Sequence, residues 1–184
     1  SDAVAGVINI ITEKGSEKPR LESWSEYGTL RTFYEGQTFS GSWKGYSLST
    51  SWSRLDTDGL GENDELEDTS ASTKFDAKLS DKADFDFLYR YSNGLVGIDD
   101  GAFRQDPNRF SKARQNVLAS ILTHRPVEGW EQKLKFSFFH DMLLSVDPPN
   151  AGTTERESRF KLDTNVYTLD WQHDLALGEH DIFT

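Results

Sequence analysis

The sequence has no cysteine, one methionine and five prolines in 184 residues. Without cysteine, neither a disulfide frame nor a thiolate metal site can form. It also lacks any run approaching the roughly 18 consecutive apolar residues of a membrane helix. Mean hydropathy is −0.65. A helical membrane protein is therefore disfavoured. A β-barrel is not, because only alternate residues of its strands meet lipid. Positive charge is scarce: 20 basic against 31 acidic side chains give a net charge of −11. A nucleic-acid phosphate backbone needs a basic surface, so nucleic acid is not the expected partner. The acid surplus suits cation binding or plain solubility equally well.

What the chain does have is alternation. In residues 46–53, Tyr46, Leu48, Thr50 and Trp52 alternate with four serines. In residues 83–92, Ala83, Phe85, Phe87, Tyr89 and Tyr91 alternate with Asp84, Asp86, Leu88, Arg90 and Ser92. Phe75, Ala77 and Leu79 repeat the pattern, as do Leu134, Phe136 and Phe138, and then Tyr167, Leu169 and Trp171. Val117, Ala119 and Ile121 mark a further strand, with Leu118 and Leu122 blurring its polar side. Period-two patterning of this kind predicts half-buried strands, and no segment carries a helical period. Pro19, Pro107, Pro126, Pro148 and Pro149 all fall between these segments, as a hydrogen-bonded ladder requires.

The connections alternate too. Short ones are expected at 43–46, 80–83, 125–129 and 177–180, and long ones at 56–71, 94–110 and 145–157. A first hairpin at Gly28-Thr29 is short where a long loop is due. Short turns on one rim and long loops on the other are the pattern of an outer-membrane barrel. Tyr46 and Trp52 would lie roughly 20 Å apart along one strand face, near the height of an apolar band edged by aromatic girdles.

Residues 1–15 read SDAVAGVINIITEKG. This segment closely resembles the end of the plug domain in TonB-dependent outer-membrane receptors, just before their first barrel strand. Ser1, Asp2, Ala3, Gly6, Val7, Asn9, Ile10, Ile11 and Thr12 carry the likeness; Ala5 stands where a second glycine is common. The resemblance implies residues 1–15 as the plug's end and residues 16–184 as the first part of a transmembrane β-barrel. The expected fold is all-β: an antiparallel up-and-down meander supplying about eight strands of a barrel of about 22. Ser1 then reads as a cut point in a longer chain. Short turns would lie in the periplasm and long loops outside.

Residues 56–69 hold seven acids and no base, a density that calls for a counter-ion or a loop without fixed form. Asp56, Asp58, Gly61, Asp64 and Glu67 mimic positions of an EF-hand loop, but Leu60 occupies a ligand position and strands flank the segment. A looser calcium site remains a candidate, drawn from Asp56, Asp58, Asp64 and Asp68 with Asp99, Asp100 and Asp106 of the next long loop. The similar cobalamin receptors of that family bind calcium through aspartates of these two loops, which the resemblance extends to this chain by loop position alone. A solvated acidic loop is the plainer alternative. His124, His140, His173 and His180 lack metal-ligand spacing, and no serine sits in a nucleophile elbow or beside a base. A catalytic role is not expected. Asp84, Asp86, Arg90, Lys133 and Lys135 read as polar residues of a lumen wall.

The function implied is energy-coupled uptake of a siderophore, haem or cobalamin across the outer membrane of a Gram-negative cell. The implied partners are outer-membrane lipid, the nutrient chelate, and a TonB-type energy-transducing protein acting through the plug. Alternatives are a passive porin, a barrel enzyme and a soluble β-sheet binding module. An open sheet of eight strands leaves two edges unpaired, so self-association of this chain is expected.

Overall fold

The computed structural model describes residues 18–99, 106–150, 152, 154, 156–177 and 180–183. The segment resembling a plug terminus, residues 1–15, and Asp100 lie outside the described residues. The rest is all-β. In chain order the strands are β1 (Arg20–Tyr27), β2 (Phe33–Trp43), β3 (Tyr46–Thr57), β4 (Leu66–Ser80), β5 (Ala83–Gly97), β6 (Phe110–Val127), β7 (Trp130–Asp147), β8 (Ser158–Leu177) and β9 (His180–Phe183). They form one nine-stranded sheet in which each strand pairs with its neighbours in sequence, all antiparallel. The sheet is an open meander, with β1 and β9 at its edges.

The expected order of connections holds. Two-residue turns at 44–45, 81–82 and 128–129 alternate with loops at 58–65, 98–109 and 148–157. Gly45 and Gly129 supply the positive φ, +90° and +78°, at two of the tight turns. The third, Asp81-Lys82, carries no glycine; there Lys78 Nζ donates to Asp81 Oδ1 at 2.7 Å. That bond holds the Asp81 carboxyl below its ordinary value. Its small contribution is present at neutral pH and fades as pH falls.

The strands outrun the alternation that revealed them. β4 begins at Leu66, β5 continues to Gly97 and β7 to Asp147. β8 has 20 residues, against 3–10 for most strands of globular proteins. At a rise of about 3.3 Å it spans roughly 65 Å. Toward the long loops β4 is mostly polar on both faces, while β5 and β7 carry apolar residues on both, so no hydrophobic period marks those extensions.

Register sorts the side chains into two unlike faces. On one, Tyr46 stands between Trp43 and Ala77, and Leu48 opposes Phe75. The row continues through Phe85 and Phe87 to Leu122, Leu134 and Trp171, with Phe136 opposite Leu169 and Phe138 opposite Tyr167. On the other face, Ser47, Ser49, Ser51 and Ser53 meet Ser42, Ser40, Thr38 and Gly36 of β2, and Asp76, Lys74, Ser72 and Ser70 of β4. Asp84, Asp86, Arg90, Lys133 and Lys135 lie together on this polar face. One strand is corrected by its register. In β6 it is Leu118 and Leu122 that join the apolar face, opposite Tyr89 and Phe85, while Val117, Ala119 and Ile121 join the polar one. Apolar residues on both faces made the two parities indistinguishable from sequence.

This sheet has no interior. Among the described residues Ala77 is the one buried apolar side chain, whereas Tyr167, Leu169 and Trp171 are 67 %, 71 % and 66 % exposed. Trp24, on the polar face, covers Gly36 directly across the β1–β2 pair. A Cβ at Gly36 would strike that indole and come within 2.7 Å of the Trp52 carbonyl oxygen. Only glycine fits there, and its bare backbone is shielded by the ring.

Candidate functional site

Two features stand out: the apolar face, and the rim where the long loops meet. The apolar face is edged by aromatics. Toward the short turns stand Trp43, Tyr46 and Trp130; toward the long loops stand Trp52, Tyr91, Phe138 and Tyr167. Phe138 and Tyr167 stack at 4.9 Å between centroids, and Tyr46 and Phe75 at 6.2 Å. An uncovered apolar surface this broad marks a surface meant for an apolar neighbour.

The upper edge of this band runs obliquely across the register. Trp52, Ala71 and Tyr91 share one row with Asn116, His140 and Asn165. The face is thus still aromatic on β3 and β5 where it is already polar on β6 to β8. Tilted strands in a barrel wall require such a drift, because a row of ladder bonds then climbs relative to a flat lipid layer. The polar row is itself hydrogen-bonded. Tyr89 Oη donates to Asn116 Oδ1 at 3.0 Å, Asn116 Nδ2 lies 3.3 Å from His140 Nδ1, and His140 Nε2 lies 3.1 Å from Asp163 Oδ1.

The long-loop rim is stitched into one ledge. Asn63, at φ +57°, turns its side-chain amide into the neighbouring loop. There Nδ2 donates to the carbonyls of Arg109 (2.7 Å), Asp106 (2.9 Å) and Ile98 (3.3 Å). Gly97 N donates to Glu65 O at 2.8 Å, and a side chain at Gly97 would collide with the Asn63 backbone. On one side Arg31 pairs with Asp58 at 3.2 Å and Asp58 N donates to Leu30 O at 3.0 Å. On the other, Asn108 Nδ2 reaches Pro149 O at 3.5 Å. Four successive connections are thereby linked.

Five of the candidate calcium ligands make local contacts. Asp56 lies on the apolar-face side of β3 and accepts two bonds from Arg54, at 2.7 and 2.5 Å. Asp58 pairs with Arg31. Asp64 Oδ2 caps its own loop, accepting from Leu60 N (3.0 Å) and Gly61 N (3.4 Å). Asp68, on the polar face, accepts from Ser70 Oγ at 3.1 Å. Asp106 is buried and accepts from the backbone of Asn108 and Arg109 at 3.2 and 3.1 Å. Asp99 approaches Gly61, so the two acidic loops are neighbours as expected. Among the described residues, however, no three acids or histidines come together to hold a metal ion.

At the short-turn rim the polar face carries a chain of opposite charges across four strands. Arg125 pairs with Asp84 (2.6 Å) and Glu131 (2.7 Å), and Lys133 pairs with Glu131 (2.7 Å) and Asp174 (3.6 Å). Beside it lies a recess of about 650 Å³ lined by Ser42, Ser47, Asp76, Asp86 and Arg125 among others. Both carboxylate oxygens of Asp76 are shut from solvent there without a hydrogen bond, with Lys74 Nζ at 3.8 Å.

Sequence reading missed Asn63 and Asn108. Asn63 carries the mark of a left-handed turn residue. Its acceptors lie 35 to 46 positions away, and no local pattern announces them. No protein-family model, curated protein or solved structure matches the chain. The antiparallel meander is compatible with the wall of an outer-membrane β-barrel.

Proposed function

We propose that this chain forms part of the wall of a TonB-dependent outer-membrane transporter, taking up a metal chelate (siderophore or haem) or cobalamin. The observation that carries the membrane part is the bare apolar face, edged by aromatics and oblique to the register. Strands of up to 20 residues and the alternation of short turns with long loops support it. Residues 1–15 support the family, through their likeness to the end of a plug. In this reading the polar face lines a lumen, the stitched loops present the substrate-binding rim, and an energy-transducing protein acts through the plug. The chain by itself transports nothing, and its free edges β1 and β9 pair with the remaining barrel or with another copy.

Uptake distinguishes this from a passive porin. In cells dependent on the barrel that contains this segment, chelate accumulation should fall to background when the inner-membrane proton gradient is dissipated or the TonB-type protein is deleted. Uptake that continues undiminished would make the barrel a passive pore.

A further inference from the structure

Beyond the polar row Asn116–His140–Asn165, toward the long loops, the same face becomes apolar again, most continuously on β7. Met142, Leu144 and Val146 of β7 continue the apolar line. On one side β6 sets Arg114 opposite Met142 and Lys112 opposite Leu144. On the other side β8 sets Lys161 opposite Leu144 and Arg159 opposite Val146. The apolar strip of Met142 and Leu144 thus lies between two cationic rails, roughly 10 Å apart by strand spacing, with Phe110 opposite Val146 and Leu95 opposite Lys112 adding apolar groups toward the loops. The rails hold one acid, Asp163, already engaged by Lys161 at 2.8 Å and by His140 at 3.1 Å. Arg114 Nε donates to Asn93 Oδ1 at 3.4 Å. No ion pair among the described residues uses Lys112, Arg114 or Arg159. The concentration is local. On β2 to β4 the same face carries Glu35, Asp56 and Glu67 against Arg54, and the whole chain is at −11.

We propose that this strip and its rails seat a phosphorylated, acylated glycolipid of the outer leaflet. Its phosphates lie against Arg114, Lys112 and Lys161, and an acyl chain follows β7 down to the apolar band. The inference rests on the membrane reading above. The chemistry selects the occupant. The cations call for a multiply charged anion, and the apolar strip between them calls for a chain attached to it. On β7 a single residue, His140, separates the strip from the apolar band at Phe138. A nucleic acid would satisfy the rails and leave the strip bare.

The test is lipid A binding to the full chain in non-ionic detergent, read by native mass spectrometry. Each base near an anionic lipid surface contributes roughly a factor of five, so Lys112→Gln/Arg114→Gln/Lys161→Gln should weaken binding on the order of 100-fold. Arg114→Gln alone should weaken it about fivefold. Lys133→Gln/Lys135→Gln, on the polar face, should leave it unchanged. Dephosphorylated lipid A should bind the native chain as weakly as lipid A binds the triple variant. Equal affinity of the native and triple chains, or equal binding of the dephosphorylated lipid, would overturn the inference. Insertion into phosphatidylcholine vesicles is measured alongside. A native chain that does not insert contradicts the membrane reading itself, and the inference with it; insertion without the phosphate contrast contradicts the inference alone.

Discussion

Leu169→Arg should destabilise the vesicle-inserted protein by about 2–4 kcal/mol, the cost of a guanidinium near the middle of a lipid-facing band. Thr168→Arg, one residue away on the opposite face of β8, should change stability by less than about 1 kcal/mol. The contrast is diagnostic because Leu169 is 71 % exposed. If water covered this face, arginine would replace a wasted leucine and the substitution would be neutral or helpful. Only lipid reverses that sign. Guanidinium titration in phosphatidylcholine vesicles, with both variants and the native chain, reads the difference directly. Equal stability of the two variants would mean that the apolar face does not meet acyl chains.

The second large effect concerns Asn63. Its amide is the donor for the carbonyls of Ile98, Asp106 and Arg109. Asn63→Asp keeps the shape and exchanges that donor for a charged acceptor facing three oxygens. Stranding partly buried acceptors beside a charge costs about 3 kcal/mol. The rim should open locally. Amide protection at Gly97 and Ile98, whose N–H groups donate to Glu65 and Arg109 across this junction, should drop roughly 100-fold. Protection in the middle of β6 and β7 should hold. Asn63→Gly, which keeps the positive φ but has no side chain, should fall between the two. Unchanged protection in the aspartate variant would show that the loops are held by something else.

The band was legible because the two faces of the sheet, one apolar and one polar, impose opposite demands on alternate residues. Tyr46, Leu48 and Trp52 against the serines of β3, and Phe85 and Phe87 against Asp84 and Asp86, announce both strand and face. Where the demand relaxes, the signal fails. The β4 extension from Leu66 to Ser72 is mostly polar on either side and passes for loop, while at the ends of β5 and β7 Leu95 and Val96, and Leu143 and Leu144, put apolar residues on both faces and no alternation shows. In β6, Ile121 and Leu122 fill both faces, and only the pairing of Leu122 with Phe85 decides the parity. The acidic loop was read for its charge. Three of its aspartates pair with Arg31 and Arg54 or cap backbone, Asp68 accepts from Ser70, and the residue that joins the loops is a neutral amide. Charge density is written in a sequence; which backbone carbonyl lies across a gap is not.

Tryptophan positions offer the most direct test of the two-faced wall. The chain has five tryptophans. Register puts Trp43, Trp52, Trp130 and Trp171 on the apolar face and Trp24 on the polar one. Single-tryptophan variants, with the others changed to phenylalanine, would be placed in vesicles of lipid brominated along its acyl chains. Fluorescence of Trp52 and Trp171 should be strongly quenched, and that of Trp24 should match its value in unbrominated lipid. Quenching of Trp24 as deep as that of Trp171, or no quenching at either apolar-face position, would contradict the account.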